Sequence, residues 1–213
     1  SWWSVAGTRI HVRMTGANKL GDDRAAIQNA IQAAYEIGAT DLVFDPYGLP
    51  HEISGSIFWN SYGIAGRKLN VHHLNVKLTA PSTGGAVVNV GRGADVGNAD
   101  TIERTGGIVF HSPYIDGNNI AGENGLAFAR AEDVTVINPV IVNCKRDYVG
   151  SREGGRGVTA HQRCRNITII NYRAFNCSDY IHIAHFPDYS SATSGNKAIT
   201  GITRGASTVI NVA

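Results

Sequence analysis

The chain has 213 residues, of which 43% are hydrophobic and 17% charged, with 25 glycines and a formal net charge of +2. This length allows one elongated domain with a sizeable core, and the balanced charge without a Lys/Arg run argues against a nucleic-acid partner. The sequence has neither an apolar stretch of membrane-spanning length nor a signal-peptide pattern at its start, so we expect no membrane insertion.

The N-terminal part of the chain predicts one strand and one helix. Residues 1–20 are interpreted as a junction followed by an edge strand within Thr8–Met14, and residues 21–213 as the main domain. In the stretch 22–37, apolar residues recur at helical spacing, which predicts an amphipathic helix. We expect Asp22 or Asp23 to cap its start and Gly38 to end it.

After the helix, the pattern changes to short β-branched runs separated by Gly, Asn and Pro, which predicts strands and tight turns. The chain ends on a weak apolar run within 207–212 without a visible closing cap, and we expect it to be a fragment at this end. The middle of the chain predicts strands at Ile53–Trp59, Leu69–Leu78, Ala86–Val90 and Gly107–Ile115.

Two stretches of the C-terminal half repeat each other. Val134 and Ile167 begin them, 33 positions apart, and Asn138, Asn143 and Cys144 recur at the same spacing. A fixed period indicates stacked units that bury an inner row only against their neighbours. We expect the Asn residues to hold left-handed turns, and the cysteines to stack as buried thiols rather than to form a bridge.

Several of these features resemble the pectate-lyase-like right-handed parallel β-helix superfamily, which includes phage tailspikes, exo-polygalacturonases and mannuronan epimerases. They are Gly21-Asp22-Asp23 with the following helix, a strand ending in Pro46-Tyr47-Gly48, the Asp116-Gly117-Asn118 turn, and the repeated coils. The resemblance implies an all-β solenoid whose open end is covered by the helix at 22–37. It also implies a homotrimer located on a virion tail or secreted.

Aligning the strands that lead each coil predicts one outer face. Leu126, Val158 and Ile181 then point inward, while Ala127, Thr159 and His182 form one outward column. Ala129 and His161 form the next column, which brings His161 and His182 to about 7–9 Å. The loop Lys145–Arg156 is expected to overhang this face.

This face has the residue types that cleavage of a polysaccharide needs. In β-elimination, His161 or Tyr148 would act as base or acid while arginines neutralise a uronate. In hydrolysis, two carboxylates would flank the bond, from Asp147, Glu153, Asp179 and Asp116. The substrate-binding candidates are Arg146, Arg152, Arg156, Arg163, His182 and His185.

The stretch 157–185 also resembles mannuronan epimerases, in which a catalytic His has an Asp two residues before it. In that family a second functional Asp follows in the next coil. His161 and Asp179 match the His and this second Asp, but Thr159 stands where the first Asp would be. We expect no metal or other cofactor, except Ca²⁺ if the chain is a pectate-type lyase.

The preferred hypothesis is therefore a polysaccharide lyase or glycoside hydrolase module of a phage tailspike or bacterial depolymerase. The alternative is a non-catalytic β-helix that binds glycan or serves as a shaft within a larger fibre, because this fold hosts both kinds of function. For single residues, solvated histidines and turn-forming aspartates are the competing structural interpretation.

Overall fold

The computed structural model describes residues 8–59, 68–81, 85–91, 105–120, 123–145, 154–161, 164–183, 199–203 and 209–212. Within them the chain forms one α-helix, a 3-10 helix at Val12–Thr15, and short strands. In chain order these are β1 (Arg9–His11), α1 (Arg24–Glu36), β2 (Asp41–Val43), β3 (His51–Ile53), β4 (Ile57–Trp59), β5 (Leu69–His72), β6 (Asn75–Leu78), β7 (Ala86–Val90), β8 (Thr105–His111), β9 (Tyr114–Asp116), β10 (Asn124–Ala129), β11 (Ala131–Ile137), β12 (Val140–Val142), β13 (Arg156–His161), β14 (Arg165–Ile170), β15 (Arg173–Phe175), β16 (Asp179–Ile183), β17 (Ile199–Thr203) and β18 (Val209–Val212).

From β2 to β16 the chain passes through three sheets in turn, so that each strand pairs in parallel with the third strand along. One sheet has the order β1-β2-β5-β8-β11-β14-β18-β17, a second β3-β6-β9-β12-β15, and a third β4-β7-β10-β13-β16. We call these sheets A, B and C, and each run of three strands a coil. β17 and β18 add antiparallel strands at the end of sheet A, whereas β1 pairs in parallel with β2 at its other edge.

Three of the strands predicted from the sequence are each two strands separated by a corner. Ile53–Trp59, Leu69–Leu78 and Gly107–Ile115 were each predicted as single strands, but the structure breaks each of them. The corners at His73 and Ser112 have φ values of 57° and 51°, which a continuous strand does not allow. The alternation of buried and exposed residues changes phase at each of these corners, because Val71 and Leu74 are both buried, as are Phe110 and Ile115. The strands predicted from the sequence extended across these changes of phase. Ala86–Val90 is confirmed as one strand.

The predicted 33-residue repeat is confirmed as the register of sheet A. Val134 pairs with Ile167, and the four asparagines of the repeat all have φ between 53° and 59°. Their side chains also join the coils, because Asn171 donates to Asn138 at 2.8 Å and Asn176 donates to Asn143 at 2.9 Å. Each Asn therefore supplies both the left-handed corner and a hydrogen bond to the next coil.

Helix α1 lies at the N-terminal end of the stack. Its predicted apolar face is confirmed, since Ile27, Ala30, Ile31 and Ala34 are buried in the core. Gly38, with φ of 66°, ends it as expected. The helix contacts β1, β2 and β4, so it covers apolar side chains that the first coil would otherwise expose.

The core runs along the inside of the stack. Alternate residues of the strands point into it, and its largest fully buried side chains include Phe44, Trp59, Phe110 and Phe128. Trp59 and Phe110 pack edge to face with ring centroids 5.2 Å apart, although they belong to different sheets. The residues left outside this core form three outer faces, and the candidate sites lie there.

Candidate functional site

The alignment of strands on which the predicted site rests is confirmed by the register of sheet C. Leu126 pairs with Val158 and Ala129 with His161, while Thr159 pairs with His182 on the next strand. His161 follows Thr159 by two residues, so the positions of His161 and His182 are diagonal neighbours on adjacent strands. The expected separation of their Cα atoms is about 8 Å, from the rise along a strand and the spacing between strands.

Part of this outer face is covered, whereas Phe58 and Asn89, in register on the preceding strands, are partly exposed. Ala127, Ala129 and Thr159 are only 5%, 6% and 4% exposed, yet none of them belongs to the apolar core cluster. A sheet face lined by small residues and shielded from water differs from the solvated surface that is ordinary for an outer face. The positions of His161 and His182 thus adjoin a sheltered part of sheet C.

Of the other predicted site residues, the structure describes few. Asp179 begins β16 in register with Arg156 at the start of β13, so these two positions are adjacent across the sheet. The backbone N–H of Arg156 donates to the side-chain oxygen of Asn124 at 3.1 Å, which fixes the start of β13 against β10. The predicted residues that lie outside the described parts of the chain are Arg146, Asp147, Tyr148, Arg152, Glu153, Arg163 and His185.

Asp116, a further carboxylate considered for hydrolysis, has a structural environment. It is buried, and one of its oxygens accepts from the Asn118 backbone at 2.7 Å and from the Asn143 side chain at 2.9 Å. Burial, followed by the nearby charge of Asp116, raises the pKa of Tyr114. These contacts make Asp116 a residue that stabilises its turn.

The structure reveals a second polar cluster, on the outer face of sheet A. Nε2 of His72 lies 2.7 Å from Oδ1 of Asp41, and Nε2 of His111 lies 3.3 Å from Oδ1 of Asn70. The rings of His72 and His111 are stacked. Both rings are partly accessible, so a ligand on this face would meet them. We call Asp41, Asn70, His72 and His111 the histidine cluster.

Electrostatics within the histidine cluster favour a charged Asp41 beside a neutral His111. Partial burial tends to raise the pKa of Asp41, but hydrogen bonds from His72 and Thr40 outweigh it and hold the pKa below its usual value. Burial lowers the pKa of His111, and His72 and His73 lower it further against the attraction of Asp41. A neutral imidazole offers one donor and one acceptor nitrogen for hydrogen bonds.

The sequence pattern did not reveal the histidine cluster, because its members are far apart in the chain and follow no fixed period. His72 and His111 pair in register on β5 and β8, and Asp41 pairs with Asn70 on β2 and β5. The coils that separate them differ in length, so no repeat aligned these residues. The adjacent His72 and His73 within a predicted strand were the available signal.

A third polar group is buried under the N-terminal end of the stack. His51 is fully buried, and its Nδ1 lies 2.6 Å from Oδ2 of Asp23. The Asp23 carboxylate also accepts from the backbone N–H groups of Asn18 and Lys19, and it makes no side-chain bond to the helix it precedes. Asp22 instead accepts from the Arg24 N–H at 3.1 Å. With no access to solvent, the Asp23–His51 pair joins the N-terminal segment to β3.

The described residues show neither a metal-binding cluster nor a membrane-spanning helix. No group of three or more His, Cys, Asp or Glu among them is arranged to hold a metal ion. Within the same parts of the chain, every helix is too short or too polar to cross a membrane.

These observations define the class of the fold as a mostly β protein in which parallel strands recur through three sheets. No family model and no curated protein matches the sequence. A solved structure of the ORF18 protein of Geobacillus virus E2 is similar, with a TM-score of 0.54 and 16% sequence identity over 75% of this chain. The match spans 35% of that phage protein's length, and at this identity it shows a shared fold alone.

Proposed function

We propose that this chain is a polysaccharide-cleaving module of a phage tail protein, built as a right-handed parallel β-helix. The passage of successive strands through three sheets supports the β-helix, and the strong preference of parallel crossovers for a right-handed path supports its hand. The similarity to a protein of Geobacillus virus E2 supports a phage origin. A location on the virion tail and a homotrimeric assembly belong to the same proposal.

The observation that carries the catalytic proposal is the register of sheet C. It gives His161 and His182 diagonal positions on adjacent strands, beside residues that are sheltered from water. Groups that transfer protons work best where water is excluded and the reacting atoms are held in place. In this proposal His161 is the general base or acid, and His182 binds the sugar chain next to it.

Two reaction types fit this arrangement. In elimination, His161 or Tyr148 removes the proton beside a uronate carboxylate whose developing charge Arg156 and the neighbouring arginines neutralise. In hydrolysis, Asp179 pairs with a second carboxylate from Asp147 or Glu153, and their separation sets the stereochemical outcome. The register between Arg156 and Asp179 is compatible with both.

Glycan binding without cleavage is the second candidate function, and the histidine cluster on sheet A favours it. Asp41, Asn70 and the two imidazoles offer hydrogen-bond donors and acceptors on a partly accessible face. A flat polar face of this kind can hold an extended sugar chain without supplying a closed reaction site.

One experiment separates these functions. The purified chain is incubated with a panel of capsular and uronate polysaccharides, with and without Ca²⁺, while molecular size and ultraviolet absorbance are followed together. A fall in size with new absorbance indicates a lyase, and a fall without it a hydrolase. Unchanged size on every substrate, for protein shown to be folded by circular dichroism, would reject cleavage. Retention of glycan by that inactive protein would support the binding function instead.

A further inference from the structure

Cys144 and Cys177 occupy the same position on two neighbouring coils. They follow β12 and β15, which pair Val142 with Phe175. The pairing continues past the strands, because the Asn143 N–H donates to the Phe175 carbonyl at 3.0 Å and the Ser178 N–H donates to the Cys144 carbonyl at 3.1 Å. One strand spacing, about 4.8 Å, therefore separates their Cα atoms, which lies within the range of about 4.4–6.8 Å that disulfides span.

The side chains of the two cysteines also meet. Cys144 is fully buried in the apolar core, and Cys177 is half-buried against that core. Their thiols hydrogen-bond each other, and each also lies near backbone carbonyls, with Sγ of Cys144 3.6 Å from the Val142 oxygen and Sγ of Cys177 3.5 Å from the Phe175 oxygen. Both cysteines are present as thiols, as expected from the sequence.

The two thiols differ in reactivity. The hydrogen bond from Cys144 lowers the pKa of Cys177 to about 7, against the opposing effect of burial. The same hydrogen bond and burial raise the pKa of Cys144. Near neutral pH, part of the Cys177 population is accordingly ionised to the thiolate, the form of cysteine that attacks disulfides, while Cys144 stays protonated.

We propose that Cys144 and Cys177 form an oxidisable dithiol, which a low-molecular-weight disulfide converts into an intramolecular disulfide between two successive coils. The Cys177 thiolate attacks one sulfur of the small disulfide, and the other sulfur leaves as a thiolate. Sγ of Cys144 then loses its proton and attacks Sγ of Cys177, which releases the second small thiol. Overall, two protein thiols are oxidised and one small disulfide is reduced to two thiols.

Oxidation of the intact chain with glutathione disulfide near neutral pH tests this proposal. We expect the number of titratable thiols to fall from three to one and the protein mass to fall by about 2 Da. Non-reducing tryptic digestion should join the peptide 131–145 to the peptide 174–197, because the chain has basic residues at Arg130, Lys145, Arg173 and Lys197. The linked coils should melt about 5–10 °C higher, and a reductant should reverse the change.

Substitutions separate the two steps. In Cys144→Ser the reaction should stop at a glutathione adduct on Cys177. In Cys177→Ser the remaining thiol of the pair, Cys144, should stay unreacted. The matched control is Cys164→Ser, which removes the third thiol and should form the same disulfide as wild type. The peptide map needs no variant, so it decides the question even if a substitution impairs folding. A wild-type map without the 144–177 link, or a disulfide that involves Cys164, would overturn the proposal.

Discussion

The imidazole of His72 lies flat against that of His111, with ring centroids 4.9 Å apart and planes 8° from parallel. This close approach disfavours a positive charge on His111. The charged and titratable groups around His111 are His72, His73 and Asp41, and their combined effect with burial is a lowered pKa. His72 and His111 are 39 positions apart in the chain and stack only in the folded protein. Their stacking therefore links the protonation of His111 to folding.

Stability should consequently fall as the pH is lowered below neutrality. The unfolded chain takes up a proton at His111 as the pH falls through about 6.5, while the folded protein does so only at lower pH. In His111→Gln, the melting temperature should vary less between about pH 7.5 and pH 5.5 than in wild type. Thr135→Ala, on the same face, should keep the wild-type dependence of melting temperature on pH. A variant with an unchanged slope would show that His111 does not contribute this dependence.

At lower pH the carboxylates of Asp41 and Asp22 should dominate the dependence of stability on pH. Their pKa values are depressed in the folded state, so the stability they contribute is present above about pH 4 and is lost as the pH falls through their folded pKa values. Asp41→Asn should reduce the loss of unfolding free energy between pH 4 and more acidic conditions. Urea unfolding at several pH values measures this, and equal losses in variant and wild type would contradict it.

The buried Asp23–His51 pair should be essential for the attachment of the N-terminal segment. Asp23→Asn replaces a carboxylate that accepts from His51, Asn18 and Lys19, and breaking such a buried pair costs about 3–5 kcal/mol. We expect faster amide hydrogen exchange in Arg24–Glu36 together with the lower stability.

A matched control for this prediction lies on the same strand. Among the described residues, the exposed Glu52 side chain forms only a long ion pair, with Lys77 at 3.9 Å. Glu52→Gln should therefore change stability by about 0.5 kcal/mol or less. If Asp23→Asn had as small an effect as Glu52→Gln, the structural role assigned to the buried pair would be wrong.

Asn143 should contribute to stability through both its backbone and its side chain. It has a φ of 59°, donates to Asp116 and accepts from Asn176. Asn143→Gly loses the hydrogen bonds but tolerates the left-handed backbone, whereas Asn143→Ala loses the bonds and adds backbone strain of about 1–2 kcal/mol. Urea unfolding should rank wild type above Gly and Gly above Ala. Equal stability of the two variants would show that the corner imposes no strain.

The two candidate functions predict opposite mutational profiles. For a cleaving module, His161→Ala should reduce turnover by about 10²–10⁴-fold with unchanged melting behaviour, and Thr168→Ala on sheet A should have no effect. For a glycan-binding module, His72→Ala combined with His111→Ala should weaken glycan retention while His161→Ala leaves it intact. Polysaccharide size analysis and affinity electrophoresis measure the two properties on the same proteins.

Much of the architecture could be predicted because it depends on local patterns. The helical spacing of Ile27, Ala30, Ile31 and Ala34 predicted α1, and the Asn residues of the 33-residue repeat predicted the corners and the register of β11 on β14. In each case one residue type meets a backbone requirement close to it in the chain. The alignment of Leu126 with Val158 and Ile181 succeeded for the same reason, because stacked strands keep their side-chain parity.

Other features depend on which coil lies beside which, and the sequence by itself did not determine them. Corners at His73 and Ser112 divide runs that are predicted as single strands, because neither position has the Gly or Asn that most often marks a left-handed backbone. The histidine cluster draws its members from three coils of unequal length. Asp23 could be recognised near the start of a helix, but only the stacked structure directs its carboxylate to the buried His51. The sequence thus determined the repeating unit, whereas the lateral packing of the coils decided which polar side chains meet, since hydrogen bonds act only over a few ångströms.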